Sequence, residues 1–99
     1  MDPKKEKYRR VRGAILKLLA HQHPGALDFK VLHYLLDDLG FTISEDECSS
    51  HVCYLTQKEL VNKIEKKTGG VEILMVSISP RGLDVLDGFV IEPGIDVNF

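Results

Sequence analysis

The sequence predicts an α+β fold of the winged helix-turn-helix type, with a three-helix core, a β-hairpin wing and a short C-terminal helix. Three observations predict it. Ser44 followed by Glu47 is the reciprocal capping pair of a helix N-terminus. Two β-favouring runs then flank Gly69-Gly70, a tip suited to the positive φ of a tight hairpin turn. Ser79-Pro80 opens a further helix, and two amphipathic helical segments precede the whole unit.

Each element follows from its pattern. Helix 1 is expected over about residues 4–21, where Tyr8, Val11, Ile15, Leu18 and Leu19 recur at helical spacing and form one apolar stripe. Gly13 inside it points to close packing against another backbone, and Pro24-Gly25 supplies a turn. Helix 2 runs from Asp28, a plausible N-cap, to Gly40, with Leu32, Leu35, Leu36 and Leu39 inward. Phe41-Thr42-Ile43 is a short extended link and a candidate minimal first strand. Helix 3 follows Ser44 and ends near Glu59 or Leu60. Cys48, Val52 and Leu55 share its inner face, while Asp46, Ser50, Cys53 and Gln57 face outward with Ser49 and Tyr54 beside them. Strands over 61–67 and 71–78 form the hairpin. In the second, Leu74, Val76 and Ile78 line one face and Val71, Ile73 and Met75 the other. Helix 4 carries Leu83, Val85 and Leu86 and stops at Gly88.

The whole chain, residues 1–99, reads as one domain. Ninety-nine residues support one core and not two. Residues 1–7 are a candidate flexible basic N-terminus. Residues 89–99 hold six apolar and no basic side chains, so this tail is expected to pack on the core or on a second copy. Hydrophobic residues at 43% and charged residues at 28% argue against wholesale disorder. No apolar run is long enough for a membrane span, and two cysteines without an export signal suit a reducing cytoplasm. The net charge of −2 hides an asymmetry, because residues 1–12 hold six basic side chains against two acidic ones.

The run Ser79-Pro80-Arg81-Gly82-Leu83-Asp84-Val85, then Gly88 and Pro93-Gly94-Ile95, resembles small winged-helix proteins of Mu-like bacteriophages and prophages, described as ArsR-like DNA-binding proteins. A looser match runs from His23-Pro24-Gly25 through Leu39-Gly40 to Leu60-Val61. The resemblance implies a winged helix with a DNA-binding or regulatory role and no enzymatic activity. Where such relatives place arginines in helix 3, this sequence has Glu45, Glu47, Ser49 and Ser50.

Two functional readings follow. In the first, double-stranded DNA is the partner and the protein is a cytoplasmic transcriptional regulator. Helix 3 enters the major groove with Ser49, Ser50, Cys53, Tyr54 and Gln57, while Lys58, Lys63, Lys66 and Lys67 around the wing and Arg9, Arg10 and Arg12 hold phosphates. In the second, the fold serves protein–protein contacts and does not bind DNA. A homodimer suits the first reading, because such domains commonly match two half-sites. Cys48 and Cys53 lie about 140° apart around a helix and cannot readily chelate one ion. Ser49-Ser50-His51 diverge around the helix and do not form a nucleophile–base pair. No metal, cofactor, membrane, small-molecule ligand or catalytic site is expected.

Overall fold

The computed structural model describes residues 2–98. Element order is α1 (Pro3–Gln22), β1 (Leu27–Asp28), α2 (Phe29–Asp38), α3 (Glu45–Gln57), β2 (Val61–Thr68), β3 (Val71–Ile78) and α4 (Pro80–Leu86). The fold is a winged helix-turn-helix, three main helices packed beside a three-stranded antiparallel sheet of order β1-β3-β2. Helix α1 starts where Asp2 accepts from the Lys4 amide at 3.0 Å and Pro3 occupies the first turn. Val11, Ile15, Leu16 and Leu19 of α1 are fully buried against Leu32 and Leu36 of α2, Cys48, Val52 and Leu55 of α3, and Val76 of β3.

The third strand is not the one expected. Leu27–Asp28 pairs with β3, Leu27 opposite Val76 and Asp28 opposite Met75. Residues 41–43 form no strand, because this pairing already occupies that edge of β3. Ile43 is buried instead, and its carbonyl oxygen lies 2.7 Å from His33 Nε2. Leu39, expected inward, is exposed because it caps α2 as the chain turns into Gly40 at φ 91°. Helix α3 also ends before Glu59, which adopts φ 62°. Both turn glycines of the hairpin have positive φ, 59° and 79°.

The β2–β3 register fixes which wing residues share a face. Val61 pairs with Ile78, Lys63 with Val76, Glu65 with Leu74 and Lys67 with Glu72, so these residues lie on the core-facing side. Asn62, Ile64, Lys66 and Thr68 lie on the other side with Ser77, Met75, Ile73 and Val71. Ile73 and Met75 are half-buried there, whereas Val71 is exposed. In the tail Ile95 is buried and Val90 and Val97 pack on the core. Phe89 and Ile91 stand in solvent, 80% and 87% exposed.

Candidate nucleic-acid interface

Helix α3 is held at both ends by side chains. At its start Ser44 Oγ accepts from the Glu47 amide at 3.0 Å, and the Glu47 carboxylate returns to the Ser44 amide at 3.5 Å. At its end the carbonyls of three successive residues are taken up by the start of α4. Arg81 donates to Lys58 O at 2.8 Å, Ser79 Oγ donates to Glu59 O at 2.7 Å, and the Ser79 amide donates to Leu60 O at 3.0 Å. Ser79 Oγ also accepts from the Gly82 amide at 3.0 Å, capping α4. The Ser79-Pro80-Arg81-Gly82 run is therefore the fastener that orients the end of α3.

Around α3, four directions separate at 100° per residue. Val52 and Leu55 point to the core. His51 and Tyr54 meet α1. His51 is only 5% exposed; its Nδ1 accepts from Arg12 Nε at 3.2 Å, and the Tyr8 ring sits edge-on with centroids 5.2 Å apart. Burial, with the Arg12 charge second, pushes the His51 pKa down to about 4; Glu47 opposes the shift and Lys7 adds to it. The Arg12 guanidinium stacks 3.8 Å from the Tyr54 ring centre. On the opposite flank Cys53 faces the wing, with Lys63 Nζ 3.5 Å from its sulfur. Between the flanks Asp46, Ser50 and Gln57 form an exposed ridge, with exposed Ser49 beside it.

The wing and this ridge thus lie on one side of the molecule. Lys63 joins them, and a groove brings Glu45 at the start of α3 together with Glu65, Lys66 and Lys67 of the wing. Its charge is mixed. Asp28, Glu45, Glu65 and Glu72 line it against Lys30, Lys66 and Lys67. Lys67 reaches Glu72 at 4.0 Å, but both side chains are well exposed, so the pair is weak.

The basic residues named from the sequence fall into two groups. Lys63, Lys66 and Lys67 stay exposed on the wing. Arg9, Arg10 and Arg12 meet the C-terminal tail. Arg9 donates to Pro93 O at 2.8 Å and pairs with Glu6 at 3.0 Å, Arg12 donates to Gly94 O at 3.2 Å, and Arg10 lies 3.8 Å from Asp96. Lys58 is likewise drawn 3.8 Å from Glu92, whose side chain is 8% exposed and receives Arg81 at 2.7 Å. These bonds span up to 84 positions, so no local pattern announces them. His51 was also missed as a buried residue; Tyr8 and Arg12, on the apolar stripe of α1 and beside it, were the available signal. Burial, then Glu45, pushes the Cys48 thiol up to about 11, as suits a small core side chain. Among the described residues no helix is long and apolar enough to cross a membrane.

A scan against protein-family models finds no match, and a search of curated proteins finds none either. Solved structures do match. A PadR family transcriptional regulator from Eggerthella lenta DSM 2243 is similar at 19% identity and a TM-score of 0.63, over 80% of this chain and 70% of that one. Bacillus subtilis PadR, solved in complex with operator DNA, is similar at 19% identity and a TM-score of 0.66, over 92% of this chain. The matched region is 52% of that protein, so this chain spans about half its length. The circadian clock associated protein Pex from Anabaena matches at 20% identity and a TM-score of 0.53, over 73% of this chain and 66% of that one. At about one-fifth identity these likenesses establish the fold, a winged helix of the kind found in PadR-type regulators.

Proposed function

We propose that this protein is a duplex-DNA-binding transcriptional regulator. One observation carries the reading: the outward ridge of α3 and the lysine-bearing wing project from the same side, joined where Lys63 meets Cys53. A helix of this size enters the major groove, and a hairpin beside it tracks the backbone. Ser49, Ser50 and Gln57 are free to meet base edges or phosphates, and Lys63, Lys66 and Lys67 to meet phosphates. The likeness to a PadR solved with operator DNA supports the reading. So does the likeness to a second protein described as a transcriptional regulator. A cytoplasmic, non-enzymatic homodimer reading paired half-sites belongs to the same proposal. The association with Mu-like prophages rests on sequence resemblance alone, chiefly the Ser79–Val85 run with Gly88 and Pro93-Gly94-Ile95.

Binding to a random-sequence duplex, followed by fluorescence anisotropy, tests it. With about six phosphate contacts, affinity should fall on the order of a thousandfold between about 50 and about 200 mM salt. Lys66→Glu with Lys67→Glu should weaken binding to every sequence while the melting temperature stays unchanged. Absence of wild-type binding at the lower salt would sink the proposal.

A second reading, a protein-interaction module without a DNA site, has its own observation. Glu45, Asp46 and Glu47 are all exposed in the first turn of α3, and the groove beside them carries four carboxylates against three lysines. Carboxylates there repel phosphates. The same titration separates the two readings.

A further inference from the structure

We infer that Lys4 and Lys7 of α1 form a second phosphate-holding edge, so that α3 lies between two cationic rails. The arginines next to them serve the fold instead. The inference rests on the DNA reading above and adds contact residues to it. One flank of the ridge faces the wing through Cys53 and Lys63; the other faces α1 through His51, Tyr54, Tyr8 and Arg12. The wing supplies the first rail. The second must come from whatever α1 presents beyond Tyr8.

What it presents is lysine. Lys4 sits one turn before Tyr8, in line with the stripe of Tyr8, Val11 and Ile15, and its ammonium lies 5.8 Å from the Tyr8 ring centre. A lysine on the inward stripe of a helix is explained if that turn has run past the core. Val11 is completely buried, whereas Lys4, Lys5 and Lys7 are all exposed. Lys7 follows Lys4 by three residues on α1, so the two share a face of that helix, beside the Tyr8 ring that meets His51 of α3. Among the described residues neither Lys4 nor Lys7 forms an ion pair. Arg9, Arg10 and Arg12, by contrast, are drawn to Glu6, Asp96 and the carbonyls of Pro93 and Gly94.

The arrangement also answers the acidic start of α3. Glu45 shares its groove with Lys66 and Lys67 on one side, while Glu47 and Lys7 both bear on His51 on the other. Lysines on the α1 flank then oppose a negative turn that the wing groove, with four carboxylates against three lysines, leaves uncompensated.

Lys4→Gln with Lys7→Gln tests the assignment, with Lys66→Gln/Lys67→Gln and Arg12→Ala as companions. Binding to a short random-sequence duplex is measured by anisotropy across about 50 to about 200 mM salt, and melting by circular dichroism. Each lysine pair should lower the log–log salt slope by about 1.8, two contacts at about 0.9 each, with melting unchanged. Arg12→Ala should lower the melting temperature, since it unpins the tail. If the wing pair weakens binding while the α1 pair leaves slope and affinity untouched, this inference fails and the DNA reading stands. If the α1 pair changes only melting, the inference also fails. No wild-type binding at the lower salt removes the DNA reading itself, and this assignment with it.

Discussion

His51 shows how one side chain ties stability to acidity. Its ring is enclosed by Tyr8, Arg12 and α3, which favours the neutral form and places its pKa near 4, below the ordinary 6.5. The unfolded chain therefore takes up a proton at this residue below about pH 6.5, whereas the folded protein does so only near pH 4. Above the ordinary value the residue contributes nothing to the pH dependence. Between the two values stability falls as the solution is acidified, by about 3 kcal/mol in total, because a tenfold preference between protonation states is worth about 1.4 kcal/mol. Urea unfolding of wild type and His51→Gln across that window should show the steeper loss in wild type. Equal slopes would show that the ring is not held neutral. The Arg12 guanidinium, lodged between this ring and Tyr54, illustrates a different point. From sequence it is one of six positive charges near the N-terminus; in the fold it is a packing element whose partners lie 39 to 82 positions away.

Among the elements, the junction of α3 with α4 constrains side-chain size most severely. A Cβ on Gly82 would collide with the Leu60 carbonyl oxygen and would lie 2.7 Å from Ile78 Cγ1. The carbonyl cannot give way, because it accepts the Ser79 amide. Gly82→Ala should cost about 1–3 kcal/mol by overpacking and shift the end of α3. Chemical denaturation measures the loss, and a variant as stable as wild type would show the junction to be loose. Helix starts, the Gly-Gly tip and the Ser-Pro opening were legible in the sequence because each is local chemistry: Ser44 with Glu47, two residues needing positive φ, Ser79 before a proline. The strand at Leu27–Asp28 was not legible. Two residues carry no periodicity, and their pairing with Val76 and Met75 is a long-range contact that no local pattern announces. The candidate site divides the same way. The outward ridge of α3 follows from spacing alone, whereas the sorting of lysines from arginines depends on where the tail returns.

At the scale of the whole molecule, apolar surface remains after the core is complete. Phe89 and Ile91 in the tail, Tyr34 on α2 and Val71 on the wing are all exposed. The proposed homodimer would cover part of this surface. Light scattering at micromolar concentration should give twice the mass of one chain, and a monomer at that concentration would oppose a paired-site mode of DNA reading. The central strand has one more consequence. Strand β3 is bonded on one edge to its hairpin mate and on the other to Leu27–Asp28, and Asp28 caps α2 by accepting from the Lys30 amide at 2.7 Å. The residue that closes the sheet is thus the same one that seats the first turn of the helix preceding α3, so replacing Asp28 would loosen the ribbon's inner edge and that turn together.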